Sequence, residues 1–203
     1  ISDSYNILVT GVDTYGSITK VSRSDVNMVI SINPKDNKIL ITSIPRDYYV
    51  YLSDFSSYDK LTHTGIYGIE TSIKAVEDLL DIDINYYVKV NFTTLIDIVD
   101  LLDGIQVTSK YEFTSIDGYH YNKGINYLNG EEALSFARER KAFSDGDRVR
   151  IKNQQIVLKA IINKLLSSKI ITNYNNLLNS LNNKFLTNMK DEELTKLIKW
   201  QID

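Results

Sequence analysis

The first 44 residues hold three short β-rich runs whose connections leave little choice of topology. The runs are Tyr5–Val12, Val26–Ile32 and Lys38–Ile44, and their β-branched residues favour strands. Residues 33–37, Asn-Pro-Lys-Asp-Asn, form a turn short enough to make the second and third runs an antiparallel hairpin. Residues 13–25 lack a helical pattern, so the first two runs are predicted to be antiparallel as well. The sequence therefore predicts an up-down-up meander.

This meander places polar residues from distant parts of the sequence at one edge of the sheet. The end of the first strand, the start of the second and the end of the third all lie there. The residues at these points are Asp13, Arg23, Asp25, Arg46 and Asp47. They are predicted to lie close together before any function is assumed.

Arginine is scarce in this chain and is confined to a few places. Only six of the 23 basic residues are arginines, and four of those six lie within Phe136–Gln155. Lysine suffices for solubility, whereas the arginine fork binds phosphate or carboxylate groups through two parallel hydrogen bonds. We therefore expect one anion site, with a pyrophosphate bound by Arg23, Arg46, Arg138 and Arg140. The alternative is that these arginines pair with acidic neighbours, namely Asp47, Glu139 or Asp145.

Three further residues are candidates for the same site. Asp13 and Asp25 could hold Mg²⁺, which prefers few carboxylates together with phosphate oxygens and water. Each aspartate could instead cap a turn, but their convergence beside arginines favours the metal. Gln154 follows Arg150 by one helical turn and could donate an amide proton to a phosphate oxygen; otherwise it is a solvent-facing polar residue.

Beyond Thr64, helical and strand patterns alternate. Strands are predicted at Asn85–Val90 and Gly104–Val107, and residues 108–127 are expected to form a loop with a hairpin. The predicted helices cover Gly65–Leu80, 92–102, a segment capped by Asn129 that runs to Ala137, a long segment from about Asp147, Tyr174–Asn182 and Asp191–Trp200. Along one side of the long helix lie Gln154, Leu158, Ile161, Ile162 and Leu165. This order predicts an α/β fold with three layers, α/β/α, around a central mixed sheet. One domain is expected over residues 1–203, with the motifs in about 5–166 and C-terminal helices in 167–203.

Composition excludes several classes of function. The chain has no cysteine, which excludes disulfides, thiolate zinc sites and cysteine nucleophiles. Its formal charge of -3 gives no general affinity for nucleic acid. His63 and His120 are isolated and are expected to be surface or loop residues. The fourteen tyrosines could serve the core, the sheet surface or sugar stacking, and the sequence does not sort them.

Taken in order, the motifs resemble those of a known family. They are NILVTGVD at 6–13, RSD at 23–25, SIPRD at 43–47, KLTHTGIYG at 60–68, VNFTTLIDIVDLLDGIQV at 90–107, LNGEEALSFARER at 128–140 and DGDRVRIKNQQ at 145–155. Over about residues 5–166 the chain resembles the LytR-CpsA-Psr family of cell-wall phosphotransferases. Each motif alone is common, whereas the ordered set is specific.

The resemblance implies an α/β/α catalytic domain on the extracellular face of the cell membrane, tethered by a single N-terminal membrane segment that this chain lacks. Such enzymes move a glycopolymer from a polyprenyl-pyrophosphate carrier to peptidoglycan and form a phosphodiester at the C6 hydroxyl of muramic acid. The polymer would be teichoic-acid-like, capsular or a secondary wall polysaccharide. No nucleic-acid partner is expected.

The resemblance also assigns roles to individual residues. Asp13 and Asp25 match the Mg²⁺ positions, the pyrophosphate positions match Arg23, Arg46, Arg138, Arg140 and Gln154, and Arg150 lies in the same block. Lys152 stands where the family usually has another arginine; it keeps the charge but loses the fork.

Catalysis is expected from Arg46, Arg138 and Arg140, which would stabilise charge on the leaving phosphate, and from Asp25 as the base. Two alternatives remain at this point. The same site could belong to a hydrolase that splits the lipid pyrophosphate with water, or to a non-catalytic domain that binds or regulates lipid-linked polymer.

Overall fold

A computed structural model of the protein describes residues 4–167 and 174–200. The strands found in these residues are β1 Tyr5–Val12, β2 Ser24–Asn33, β3 Lys38–Ser43, β4 Tyr49–Leu52, β5 Ser57–Lys60, β6 Tyr86–Asn91, β7 Ile105–Ser109, β8 Phe113–Thr114, β9 His120–Tyr121, β10 Gly124–Leu128 and β11 Leu186–Thr187. The α-helices found there are α1 Thr64–Tyr67, α2 Ile69–Leu80, α3 Phe92–Leu101, α4 Gly130–Arg138, α5 Gly146–Leu165, α6 Tyr174–Leu181 and α7 Asp191–Trp200. Short 3-10 helices cover Ser53–Phe55 and Leu61–His63. In this part of the chain, no helix is both long enough and apolar enough to cross a membrane.

The chain divides into two compact units. Unit 1 comprises residues 1–93 and 183–196, and unit 2 comprises residues 94–182 and 197–203. The expectation of a single domain over residues 1–203 stays a prediction.

Unit 1 is built on a five-stranded mixed sheet in the order β11-β6-β1-β2-β3. β2 pairs antiparallel with both β1 and β3, so the predicted meander is confirmed. β6 pairs parallel with β1, and β11 closes the outer edge of β6 in antiparallel direction. The predicted α/β fold with a central mixed sheet is confirmed.

A buried cluster covers one face of this sheet. Its members come from β1, β2, β4, α2 and the adjoining segments, and they are Leu8, Val29, Ile44, Val50, Leu52, Leu61, Ala75 and Val76. β4 and β5 form a separate antiparallel hairpin that contributes Val50 and Leu52 to the cluster. Burial of these apolar side chains contributes several kilocalories per mole to the stability of the fold. It therefore holds the segment between Arg46 and Thr62 in place against the meander.

The single helix predicted over Gly65–Leu80 is wrong, because the chain breaks at Gly68. That residue has φ of 121° and ψ of 166°, which ends α1 and starts α2 in a new direction. Glycine adopts such a conformation readily, whereas a side chain would strain it. The apolar spacing on both sides of Gly68 nevertheless fits one continuous helix, which is why the pattern conceals the break.

Unit 2 contains two antiparallel strand pairs and the helices that carry the second arginine cluster. β7 pairs with β10, and β8 pairs with β9. The hairpin expected within residues 108–127 is confirmed as β8 and β9, but β10 begins at Gly124 inside that predicted loop. The α4 cap is confirmed: Asn129 and Glu132 form a reciprocal capping box.

The long helix buries a different stripe from the one predicted. Its buried residues are Asn153, Val157, Ala160 and Ile161, whereas Gln154 and Leu158 are half-buried beside them. Spacings of four and three residues keep this set on one face of a helix. An apolar pattern does not mark the polar Asn153, whose Nδ2 donates to the Phe136 carbonyl at 3.2 Å. The later helices α6 and α7 lie where they were predicted, and residues 168–173 are outside the described part.

Candidate active site

A β-bulge displaces Asp25 from the regular pairing of β1 with β2. Gly11 pairs with Val26 and the next residue, Val12, pairs with Ser24, so Asp25 is the extra residue. A bulge bends a strand and re-aims a side chain. The aspartate predicted at the sheet edge is therefore presented by an irregularity in the strand that carries it.

The Asp25 carboxylate accepts two hydrogen bonds at the same oxygen. Arg46 Nη1 donates to Oδ1 at 3.1 Å, and Thr62 Oγ1 donates to it at 3.2 Å. Arg46 Nε also lies 3.8 Å from Asp47 Oδ2, so the pairing expected as an alternative is present beside the contact with Asp25. Arg46 and Asp25 are both half-buried. The predicted meeting of these two residues is confirmed.

Thr62 is a contributor that was not predicted. It is buried in the 3-10 helix before α1 and lies within the KLTHTGIYG motif. Membership of that motif was the only signal in the sequence, because a lone threonine indicates no role. Its hydroxyl fixes the carboxylate that also holds Arg46.

Gly65 allows the same motif to approach the segment that carries Arg23. A Cβ atom at Gly65 would lie 2.5 Å from the backbone nitrogen of Ser24 and 2.6 Å from the carbonyl oxygen of Ser22. Both are backbone atoms, which cannot rotate away. The Arg23 side chain itself is exposed at the start of β2.

The loop after Asp13 is attached to the start of α3. Thr14 O accepts from Phe92 N at 3.1 Å, and Gly16 N donates to Thr93 Oγ1 at 2.9 Å. Asn91, the last residue of β6, donates from Nδ2 to Gly16 O at 3.0 Å. These bonds fix the loop that begins with the exposed Asp13.

The donor set at this edge fits a magnesium ion that takes most of its ligands from elsewhere. Within residues 4–167 and 174–200, no group of three or more His, Cys, Asp or Glu side chains is arranged to hold a metal. Magnesium needs only one or two carboxylates when phosphate oxygens and water complete its octahedron. Both hydrogen bonds to Asp25 are accepted by Oδ1. They hold the carboxylate in one orientation and thereby also fix the position of Oδ2. The assignment of Mg²⁺ to Asp13 and Asp25 stays a prediction.

In unit 2, the end of α4 presents two arginines. The helix ends at Arg138, and Glu139 has the extended angles φ −63° and ψ 131°. Arg138 and Arg140 are both exposed. Because the chain is extended at Glu139, Arg140 no longer follows the helical spacing of α4; that Arg138 and Arg140 bind the same ligand stays a prediction.

Glu139, between them, is buried and accepts hydrogen bonds from backbone amides. Ile116 N donates to Oε2 at 2.7 Å and Ala142 N donates to Oε1 at 2.9 Å. Burial raises the pKa of Glu139, but the amide hydrogen bonds outweigh it and hold the pKa below its usual value. The carboxylate therefore fixes the turn that follows α4.

A close backbone approach connects this turn to α5. A Cβ atom at Gly146, the first residue of α5, would overlap the Arg140 carbonyl oxygen and lie 2.9 Å from its carbonyl carbon. Only glycine permits this approach without a shift of the backbone. The position of Arg140 is thus coupled to the start of the long helix.

Asp147 connects two of the candidate arginines. Its Oδ1 lies 3.5 Å from Arg140 Nη1 and 3.2 Å from Arg150 Nη2. The Arg150 side chain is 11% exposed and that of Arg140 is 49% exposed, so Arg140 is the more accessible to a ligand. Arg148 pairs instead with Asp145 at 3.4 Å, on the surface.

The remaining predicted residues occupy separate positions on α5. Gln154 lies one turn after Arg150 and is half-buried, while Lys152 is exposed. The structure thus brings together Asp25 with Arg46 in unit 1, and Arg140 with Arg150 in unit 2. That all the candidate residues bind a single pyrophosphate stays a prediction, since each unit shows only its own set.

Comparison with known proteins decides the family. A family model for the LytR_cpsA_psr family matches residues 1–201. The chain belongs to the LytR-CpsA-Psr family. Polyisoprenyl-teichoic acid–peptidoglycan teichoic acid transferase TagU of Bacillus cereus (strain AH820) is 38% identical over 194 residues, which are 95% of this chain and 63% of TagU. The chain therefore spans less than two thirds of the length of this family member.

Solved structures of the family share the fold. The crystal structure of B. subtilis TagV has a TM-score of 0.87 and 30% identity, covering 99% of this chain and 80% of TagV. The structure of TagT bound to LI-WTA has a TM-score of 0.80 and 31% identity, covering 99% of this chain and 75% of TagT. The expected LytR-CpsA-Psr fold is confirmed by both.

Proposed function

We propose that the protein is a magnesium-dependent phosphotransferase that attaches a glycopolymer from a polyprenyl-pyrophosphate carrier to peptidoglycan. Membership of the LytR-CpsA-Psr family and the name of the B. cereus relative support a transferase of this class. The single observation that carries the proposal is the cluster of Asp25, Arg46 and Thr62 on the bulge of β2. A half-buried arginine held in place by a carboxylate is preorganised for a phosphate group.

A teichoic-acid-like polymer is the donor we favour over a capsular or secondary wall polysaccharide. The relatives named for teichoic acid transfer and the structure of TagT bound to LI-WTA support this choice. The family resemblance also supports a cell-membrane location, with an N-terminal anchor and the catalytic domain on the extracellular face.

In the proposed reaction, a hydroxyl oxygen of the acceptor attacks the phosphorus atom nearest the glycopolymer. The bond from that phosphorus to the bridging oxygen breaks, and polyprenyl phosphate leaves with the bridging oxygen. Arg46 stabilises the charge that develops, and so do Arg138 and Arg140 at the end of α4. Arg23, Arg150 and Gln154 bind the pyrophosphate.

Asp13 and Asp25 are the residues that would hold Mg²⁺, which supplies positive charge to pyrophosphate oxygens when it is bound. Asp25 has two proposed roles that compete for the same atom. Its Oδ1 already accepts from Arg46 and Thr62, so Oδ2 can either ligate the ion or receive the proton of the attacking hydroxyl. We assign Oδ2 to the metal. Because a metal-bound carboxylate is a poor base, the proton of the attacking hydroxyl then passes to solvent water and not to Asp25.

One experiment separates this function from its rivals. The protein is incubated with a lipid-linked polymer and Mg²⁺, with and without peptidoglycan, and the phosphorus-containing products are analysed. The expected result is polymer bound covalently to peptidoglycan together with polyprenyl phosphate. Release of polymer phosphate at the same rate without the acceptor would identify a hydrolase, and binding without turnover would identify a non-catalytic domain.

A further inference from the structure

The β4–β5 hairpin of unit 1 has one buried face and one aromatic face. Val50 and Leu52 point inward and are 3% and 2% exposed. The opposite side carries Tyr49, Tyr51 and Tyr58, which are 70%, 43% and 58% exposed. We call these three residues the tyrosine face. An outward-facing side of an antiparallel pair ordinarily carries polar residues, so three aromatic rings there need an explanation.

The three rings form one contiguous surface. Tyr51 and Tyr58 are directly paired across the hairpin, and their ring centroids are 5.2 Å apart. Tyr49 stacks on Tyr58 with centroids 5.5 Å apart and an angle of 22° between the planes. Such cross-strand contacts hold the rings in place without burying them. The result is a preformed aromatic surface exposed to solvent.

The charges around the tyrosine face are paired with one another. Lys60 Nζ lies 3.0 Å from Asp47 Oδ1, and Lys74 forms an ion pair with Asp54. Each of these pairs has one cation and one anion, so the two pairs add no net positive charge that would attract a phosphate-rich polymer or anionic lipid. A neutral ligand with flat apolar faces and many hydroxyls matches this surface better, and a chain of pyranose rings has both properties.

The tyrosine face is also continuous with the residues proposed to bind the pyrophosphate. Tyr49 is paired opposite Lys60, which holds Asp47, and Asp47 in turn contacts Arg46. Thr62 N donates to the Arg46 carbonyl at 2.8 Å, so the end of the hairpin is fixed to the same segment. A ligand on the tyrosine face would therefore lie beside Arg46 in unit 1.

We propose that the tyrosine face binds the glycan strand of the peptidoglycan acceptor. The inference rests on the proposed function for the identity of the ligand. The C–H faces of N-acetylated amino-sugar rings lie against the tyrosine rings, and the phenolic hydroxyls provide hydrogen bonds at the edge of the surface. We favour the glycan over the donor polymer as the ligand of this face, because the two neighbouring ion pairs add no net positive charge for the polymer's phosphates.

The test measures the binding of β-1,4-linked N-acetylglucosamine oligosaccharides by titration calorimetry with the full chain. These probes have the uncharged sugar backbone of the glycan strand without the free lactyl carboxylates that peptide-free muramic acid would carry. Tyr49→Ala with Tyr58→Ala is expected to weaken binding about tenfold or more, because two stacking rings are lost. Replacing the same two residues by Phe is expected to keep affinity within about threefold, since the rings remain. Tyr127→Ala is the matched control, because Tyr127 is a strand tyrosine that is 77% exposed on unit 2.

Several outcomes would overturn the proposal. Unchanged affinity in the double Ala variant, or an equal loss in Tyr127→Ala, would exclude the tyrosine face as the glycan site. Thermal unfolding of each variant shows whether a loss of binding comes from a loss of fold. A double Phe variant that binds as weakly as the double Ala variant would also contradict the proposal. Phosphatidylcholine vesicles are the competing ligand: loss of vesicle binding alone in the double Ala variant would assign the face to the membrane.

A second measurement separates this proposal from the proposed function. Arg46→Ala should reduce the transfer rate by about 10²–10³ while leaving glycan binding unchanged. The double Ala variant should instead raise the KM for the acceptor about tenfold with little change in kcat. If the parent protein bound glycan through the tyrosines but transferred no polymer, the transferase would be refuted and the glycan site retained. If the parent protein transferred polymer and the double Ala variant kept the parent KM for the acceptor, the glycan site would be refuted and the transferase retained.

Discussion

Arg46 is the arginine whose position is best explained by its neighbours, since it contacts both Asp25 and Asp47. We expect Arg46→Ala to reduce the rate of polymer transfer by about 10²–10³, or roughly 2–4 kcal/mol of barrier, by analogy with the loss of one preorganised donor. Arg46→Lys should fall between parent and Ala, because it keeps the charge and loses the fork. The measurement is the initial rate of labelled polymer transfer to peptidoglycan.

The matched control for Arg46 is Arg148→Ala. Arg148 pairs only weakly with Asp145 at the surface, with 76% of its side chain exposed. Exposed pairs contribute about 0–1 kcal/mol, so this variant should transfer polymer at close to the parent rate. Parent-like transfer by Arg46→Ala would show that Arg46 does not bind the pyrophosphate.

Glu139 predicts a pH dependence of stability. Its pKa is lowered in the folded protein, so its contribution to stability is fully present above the unfolded-state pKa of about 4.3 and is lost as the pH falls through the folded-state value. In Glu139→Gln the side-chain amide must face a backbone N–H, which should cost about 1–3 kcal/mol at pH 7. Urea unfolding should show the difference from parent shrinking as the pH is lowered from 6 to about 3.

Glu131→Gln is the control for this pH series, because Glu131 is exposed in the first turn of α4. Its difference from parent should be small at every pH. A difference between Glu139→Gln and parent that stays constant over the whole range would contradict the assigned pKa.

At the scale of single residues, the sequence identified the charged residues but not the residues that hold them in place. Arg46 and Asp25 stood out because arginine is rare and because the meander predicts where its ends meet. Thr62 and Glu139 did not, since their roles depend on contacts to Asp25 and to the backbone of Ile116. Such contacts arise only once the chain is folded.

Among the secondary structure elements, the turn between α4 and α5 offers the most direct test. Gly146→Ala should force the start of α5 away from the Arg140 carbonyl and reduce stability by about 1–3 kcal/mol. Because Arg140 and Arg150 both contact Asp147 next to this glycine, transfer activity should fall as well. The measurements are the free energy of unfolding in urea and the transfer rate under conditions where the variant is folded.

Ser144→Ala, in the exposed part of the same turn, is the control and should leave both quantities close to the parent values. A Gly146→Ala protein with parent stability would show that the backbone can relax, and that the close approach to Arg140 is not required.

The elements themselves were predictable to different degrees. β1, β2 and β3 were found because apolar runs and strong turn residues mark them clearly. The break at Gly68 was missed because the apolar spacing continues across it, and β10 was missed because Tyr, Gly and Asn residues are typical of loops. β11 has two residues and forms only by pairing with Val88 and Lys89, so no local pattern marks it.

For the molecule as a whole, metal dependence is the most informative property. A chelator should abolish transfer, and added Mg²⁺ should restore it. Asp13→Asn and Asp25→Asn should each raise the Mg²⁺ concentration needed for half-maximal rate by about tenfold or more, because each removes a charged ligand. Titration of the ion against the transfer rate gives this value.

Asp78→Asn, an exposed carboxylate on α2, is the control for the loss of one negative charge and should follow the parent curve. Full activity in the presence of the chelator would refute the role of Mg²⁺ and would leave Asp25 Oδ2 available as the base.

The mixed sheet also sets an order in which the chain can acquire its structure. β1, β2 and β3 are joined by short connections and can pair as soon as residues 5–43 have emerged, since a chain emerges from its N-terminus first. The other edge of β1 stays unpaired until β6 has emerged, because Ile7 pairs with Tyr86. The outer edge of β6 in turn stays unpaired until β11, which begins at Leu186, has emerged. An unpaired strand edge is a template for association with other chains. The nascent protein is therefore most vulnerable to aggregation between the completion of the meander and the arrival of β6, and the free edge of β1 is where a holding chaperone would have the most to protect.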